Sequence, residues 1–140
     1  QLATAAPGLL IPLVLNKFKD QRAIAALVSL MCAVGAAGFA TMPDQALLWT
    51  ILFGFGSGAT MILGLTFIGL RASSAHQAAA LSGMAQSVGY LLAACGPPLM
   101  GKIHDLNGSW LIPLAGVAVL AMLMAVFGLC AGRNREIASA

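Results

Sequence analysis

The chain has 140 residues, of which 60% are hydrophobic and 8% are charged, and its formal net charge is +3. A soluble domain usually carries about 25% charged residues, so this composition excludes an ordinary water-soluble fold. The positive charges are dispersed in short segments, so the net charge does not indicate nucleic acid as a partner. The composition therefore predicts an integral membrane protein whose surroundings are the lipid bilayer.

Five apolar stretches follow one another along the chain. Residues 1–15 contain a stretch too short to cross a bilayer, and four runs without Asp, Glu, Lys or Arg come after it: 23–42, 47–70, 77–101 and 110–131. A hydrocarbon core of about 30 Å needs about 20 helical residues, which each of these four runs supplies. We therefore expect an all-α fold with four full transmembrane helices, preceded by the end of a fifth. Because the chain opens at Gln1 without a Met or a signal sequence, it is expected to be a C-terminal fragment.

Basic residues occupy alternate loops. Six of the seven Lys and Arg residues lie before the first full run, between the second and third runs, or after the fourth: Lys17, Lys19, Arg22, Arg71, Arg133 and Arg135. The positive-inside rule places these loops and the C-terminus in the cytoplasm. This pattern predicts a multi-pass protein of the cell inner membrane, with Trp49 and Trp110 at the outer interface.

The segments between the runs carry helix-capping and turn residues. Asp44 is predicted to cap the second full helix, and Ser109 the fourth. Residues 102–109 are predicted to form an outer loop with a turn at Asn107-Gly108. Within the third run, Gly96-Pro97-Pro98 removes two helical N–H donors, which predicts a kink or break near the outer end.

Small residues recur four positions apart in two of the runs. Gly54 and Gly58 have this spacing in the second run, as do Ala85, Gly89 and Ala93 in the third. Such pairs let helix backbones approach closely in lipid, so close helix packing is the expected role of both sets.

Polar side chains lie at matching depths in the second and third runs. Gln86 and Tyr90 share a helix face near the midplane of the third run, and Thr60 and Ser57 share one in the second. These four residues are candidates for contacting a small substrate near the midplane, where transporters bind their solutes. Alternatively, the two hydroxyls bond to carbonyls of their own helix, and Gln86 links two helices.

Other chemistry finds no support in the sequence. No ionisable residue lies inside a full run, so a proton relay would have to lie elsewhere, and any anionic substrate would have to be neutralised by other residues or by helix N-termini. Neither a metal site nor a cofactor motif is present, and the cysteines Cys32, Cys95 and Cys130 are expected to be small apolar fillers. No catalytic motif indicates an enzyme.

Two segments together resemble a known family. Residues 81–98, LSGMAQSVGYLLAACGPP, followed by HDLNGSW at 104–110, are similar to the eleventh helix and outer loop of the cyanate transporter family, within the major facilitator superfamily. The resemblance implies a twelve-helix fold in two halves, of which this chain would supply the end of span eight and spans nine to twelve. It also implies that spans ten and eleven border the central cavity.

The function expected from this resemblance is alternating-access transport of a small solute, such as cyanate or a related small anion, in concert with the missing N-terminal half. A carrier that exports another small molecule, such as a nitroaromatic drug, would use the same architecture. A membrane subunit or scaffold without transport activity would instead present its small-residue faces to a partner.

Overall fold

The computed structural model describes residues 2–8, 10–11 and 21–132, and in these residues the fold consists of helices joined by short turns. A short helix α1 (Leu2–Ala5) precedes four long helices: α2 (Arg22–Thr41), α3 (Ala46–Arg71), α4 (Ala75–Asn107) and α5 (Leu111–Ala131). All four long helices have the length and apolar composition needed to cross a membrane. The predicted all-α membrane fold class is confirmed. Lys17, Lys19, Arg133 and Arg135, on which much of the predicted orientation depends, lie outside the described residues.

Helix α2 packs against both α3 and α5. Its contact with α3 is so close that a Cβ on Gly35 would lie 2.8 Å from the Phe53 backbone nitrogen. On the facing helix, a Cβ on Gly56 would lie 2.7 Å from the Val28 carbonyl oxygen. Because apolar side chains gain little from leaving lipid, such close van der Waals contact is what holds membrane helices together.

The glycine pair predicted to mediate packing in α3 contacts α1. Gly54 lies beside Ala3, and a Cβ on Gly58 would clash with the carbonyl oxygen of Thr4. The predicted packing role of this pair is confirmed. The corresponding set in α4 behaves differently, because a Cβ on Gly89 would meet no atom within 4 Å. Within the described residues, the expected close packing of the α4 set is absent.

Helix α4 differs from its neighbours in length and burial. It extends through Asn107, so the predicted outer loop at 102–109 was too long, and only residues 108–110 separate α4 from α5. The helix continues through Lys102 and the residues after it, and near its end the Asn107 amide donates to the Ile103 carbonyl at 2.8 Å. Pro97 and Pro98 lie inside this continuous helix, so of the predicted kink or break the break does not occur. None of its residues is buried in the described structure.

Neither predicted residue occupies an N-cap position, which is held by Trp110 in α5 and by Gln45 in α3, but Ser109 does accept a backbone bond at the start of α5. The Leu111 backbone N–H donates to the Ser109 hydroxyl at 3.1 Å, and Gly108 has φ 65°, as expected of a glycine that ends a helix. Asp44 was predicted to cap α3, but it lies inside a 3₁₀ turn, Pro43–Gln45, and no side chain caps α3. Pro43 begins that turn, and the residue at the N-cap position of α3 is Gln45, one residue after Asp44.

Replacing Gly35 by alanine should destabilise the helix pair α2 and α3. The added methyl group meets the Phe53 backbone, which cannot rotate away, so we expect a loss of about 1–3 kcal/mol. Gly69→Ala is the matched control because a Cβ there meets no atom within 4 Å, and it should leave stability unchanged or raise it. Thermal unfolding of the gene's complete product in detergent measures both; equal midpoints for the two variants would contradict the packing described here.

Candidate solute-binding cavity

A cavity of about 790 Å³ lies between α3 and α4 and reaches the last turn of α5. It is a groove and not an enclosed chamber, because α4 stands apart from the packed helices. Its lining is formed by Thr60, Met61, Gly64, Leu65, Phe67, Ile68, Arg71, Leu81, Met84, Ala85, Gln86, Gly89, Tyr90, Ala93, Cys130 and Ala131. Most of this lining is apolar, so the few polar groups in it set the orientation of anything that binds.

Three of the four candidate residues from the sequence line this cavity: Thr60, Gln86 and Tyr90. Thr60 comes from α3, and the other two come from α4 on the opposite side. The polar groups of the two helices therefore face a common space, as their matching depths led us to expect. Ser57 lies about one turn beyond Thr60 and is not part of the lining.

The hydroxyl groups of α3 are engaged within their own helix. Thr60 Oγ1 lies 3.0 Å from the Gly56 carbonyl oxygen and 2.9 Å from that of Ser57, and Ser57 Oγ donates to the Gly54 carbonyl at 3.0 Å. This is the bonding that the alternative interpretation of these hydroxyls predicted. Since its proton points to the backbone, Thr60 presents acceptor lone pairs and a methyl group to the cavity.

The amide of Gln86 bonds within α4. Its Nε2 donates to Ser82 Oγ at 2.7 Å, one turn earlier on the same helix. The alternative that Gln86 links two helices is therefore not what the described structure shows. This bond uses one amide hydrogen and orients the side chain, while the amide oxygen remains suited to accept a bond from a ligand.

Tyr90 and Phe67 bring two aromatic rings to opposite walls of the cavity. Phe67 is nearly buried, at 9% exposed, whereas Tyr90 is 64% exposed. An exposed tyrosine ring provides a flat apolar surface and a hydroxyl that can donate or accept a hydrogen bond. Together with Met61 and Met84, these rings make the cavity suited to a flat, largely apolar molecule.

Arg71 also lines the cavity, although it was not among the residues predicted to form a site. It is the last residue of α3, is half-buried, and its Nη2 donates to Gln21 Oε1 at 3.3 Å. Arg71 therefore places one basic side chain in the lining of the cavity, at the end of α3. The helical period offered a signal, because Thr60, Gly64, Phe67 and Arg71 follow one another on a single face of α3.

The three cysteines occupy different environments. Cys32 is 4% exposed and its Sγ lies 3.8 Å from the Phe53 carbonyl oxygen, which fits the predicted role of a small filler. Cys95 and Cys130 are exposed, and Cys130 lines the cavity. Among the residues the structure describes, no group of three or more His, Cys, Asp or Glu side chains could hold a metal ion.

Known transporters resemble this chain over most of its length. It is 80% identical over 137 residues to the 2-nitroimidazole transporter of Escherichia coli, which covers 98% of the chain and 35% of that protein. It is 53% identical over 112 residues to a candidate anionic 4-hydroxy-benzoate permease of Thauera aromatica, covering 80% of the chain and 68% of the relative. A cyanate transport protein of Escherichia coli is 28% identical over 115 residues, which is 81% of the chain and 30% of that relative.

The names of these relatives are those of transporters and permeases, which move solutes and are not enzymes. The chain spans about a third of the length of the 2-nitroimidazole transporter and of the cyanate transport protein. No family model and no solved structure matches the chain.

The position of Cys130 in the cavity wall is testable without any transported solute. In permeabilised membranes we expect a water-soluble maleimide to label Cys130 in the gene's complete product and to leave Cys32 unlabelled, because only the first thiol faces the cavity. Proteins that retain one of the two cysteines, each with Cys95→Ala, give the two labelling rates by mass spectrometry. Similar slow labelling of both thiols would show that water does not reach this cavity.

Proposed function

Because this chain belongs to the same family of membrane transporters as the Thauera aromatica permease, we propose that it forms part of a carrier for small solutes and binds them in the cavity between α3 and α4. The observation that carries this proposal is the meeting of Thr60, Gln86 and Tyr90, from two helices, around one mostly apolar cavity. A few polar groups in an apolar cleft are typical of a small-molecule site. Ser57, outside the lining, is no longer among the residues we propose to contact solute.

The solute we favour is a small planar ring with a polar substituent. Phe67 and Tyr90 supply aromatic surfaces, and Gln86 supplies an amide that can bond to such a substituent. The names of two relatives refer to ring compounds of this kind, 2-nitroimidazole and 4-hydroxy-benzoate. Cyanate, a three-atom ion, would leave a cavity of about 790 Å³ largely unfilled and would lose its hydration to apolar walls.

The transport cycle we propose is alternating access within a major facilitator fold. In this proposal the chain contributes the end of span eight and spans nine to twelve, and the remaining spans form the other side of the cavity. The close contacts that join α2, α3 and α5 make these helices a unit that can rock as one body, while α4 borders the site. We further propose an inner-membrane location with the basic loops and the C-terminus in the cytoplasm.

Replacing Gln86 by alanine tests its contact with the solute. We expect solute exchange to fall roughly three- to tenfold, the range for one lost hydrogen bond, with no loss of folded protein. The measurement is counterflow of 2-nitroimidazole in proteoliposomes that contain the gene's complete product, since counterflow requires neither a known direction nor a coupling ion. Asn107→Ala is the matched control: this amide also bonds within α4, to the Ile103 carbonyl, but lies outside the cavity. Unchanged exchange by Gln86→Ala would remove this residue from the site.

Filling the cavity should stop transport without unfolding the protein. Gly89 and Gly83 both lie on α4 with no atom within 4 Å of an added Cβ, but only Gly89 lines the cavity. We therefore expect Gly89→Trp to abolish 2-nitroimidazole counterflow, while Gly83→Trp retains it. If the chain were a scaffold without transport activity, counterflow would already be absent in the unsubstituted protein, which would overturn the proposed function.

A further inference from the structure

A second, smaller cavity adjoins the solute cavity, in the gap between α3 and α5 where both helices pack on α2. We call it the side pocket. Its volume is about 200 Å³, and α2 contributes Ala25 and Ser29 to its lining. Four residues line both cavities: Thr60, Gly64, Phe67 and Ala131. The side pocket is therefore next to the space in which we place the ring of the solute.

Gly64 leaves an opening in the wall that the two cavities share. An added Cβ there would meet no atom within 4 Å, so no side chain closes the space around this residue. Thr60 and Phe67 lie one helical turn before and after it, on the same face of α3. A substituent on a solute in the larger cavity can therefore enter the side pocket at Gly64.

Ser29 brings a hydroxyl group to the side pocket from α2. The residue is only 2% exposed, and apart from Thr60 the other lining residues are apolar. Thr60 and Ser57 bond to carbonyls of their own helix, whereas the Ser29 hydroxyl has no hydrogen-bond partner among the residues that the structure describes. Buried hydroxyl groups nearly always have a partner. A bare hydroxyl in the wall of a cavity therefore indicates a ligand that supplies one.

We propose that the side pocket receives a short side chain of the ring solute, and that Ser29 determines specificity by bonding to an uncharged polar group at the tip of that side chain. This inference rests on the proposed function, since the ring lies in the larger cavity near Phe67 and Tyr90. The tip is uncharged because no charged residue lines the side pocket within the described structure, and an ion would lose its hydration to apolar walls. A hydroxyl both donates and accepts, so a hydroxyl or amide tip satisfies Ser29 in either direction.

Ser29 also fits a packing role, which has to be separated from binding. With Ala25 and Ala33 it forms a series of small residues four positions apart, and such series let membrane helices approach closely. Alanine is as small as serine, so Ser29→Ala keeps the packing and removes only the hydroxyl. Because a buried hydroxyl without a partner does not stabilise a fold, the thermal unfolding midpoint in detergent should stay the same or rise slightly. A lower midpoint would assign the hydroxyl to the fold and overturn the inference.

The experiment compares pairs of compounds that differ only at the tip, as competitors of 2-nitroimidazole counterflow by the gene's complete product. The first pair is 1-(2-hydroxyethyl)-2-nitroimidazole and 1-propyl-2-nitroimidazole, in which a methyl group replaces the hydroxyl. A second pair, with 3-hydroxypropyl and butyl groups, extends the reach by one carbon. In at least one pair the hydroxyl compound should compete at a lower concentration in the unsubstituted protein. Ser29→Ala should raise the half-inhibiting concentration of that compound three- to tenfold, about the range for one hydrogen bond, and leave its alkyl partner unchanged.

Ser57→Ala is the matched control, because it removes the same group from a partly buried serine that lines neither cavity. It should leave every competitor unchanged. No preference for the hydroxyl compound in either pair would overturn the inference, even if Ser29→Ala does not fold, and a side pocket filled by a lipid chain would give that result. So would an equal change in both members of a pair on Ser29→Ala. In these cases 2-nitroimidazole counterflow would persist and the proposed function would stand, whereas its absence from the unsubstituted protein would overturn that function itself.

Discussion

The structure depends on the close approach of helix backbones where glycine replaces larger side chains. In lipid, burying apolar surface gives helices little reason to associate, so van der Waals contact at short distance supplies the attraction. Gly35 and Gly56 allow it between α2 and α3, and Gly128 allows it between α5 and Ala25 of α2. Because these contacts join α2 to both neighbours, α3 and α5 are held while α4 stands apart, and that arrangement creates the groove.

Much of the fold was predictable because a bilayer permits so few structures. An apolar run of about 20 residues has to be helical, since every backbone group in hydrocarbon needs an internal partner. Outside the apolar runs this constraint ends, and there the predictions were weaker. Residues 102–107 continue α4 although four of the six are polar or charged, and Asp44 lies in a 3₁₀ turn and not at a cap. Backbone geometry beside a proline or beyond a bilayer is decided by local bonding that residue type alone does not specify.

The candidate site was predictable to the extent that it follows helical periodicity. Their depth in the membrane and their position on the helix face indicated Thr60, Gln86 and Tyr90. Residues at the same depth on facing sides of adjacent antiparallel helices can lie close together. Arg71 was missed since its charge was attributed to membrane topology alone, although it follows Thr60 on the same face. Ser57 could not have been excluded, because the length of the cavity depends on how far α4 stands from α3, a tertiary property that periodicity does not contain.

The prolines inside α4 change how the wall of the cavity can deform. Pro97 and Pro98 have no N–H groups, so the carbonyls of Ala93 and Ala94, four positions earlier, receive no helical bond from them. Ala93 lines the cavity. The bending stiffness of α4 is therefore lowest directly next to the groove, and a modest flexing of the helix there changes the width of the groove while the residues on either side keep their helical geometry.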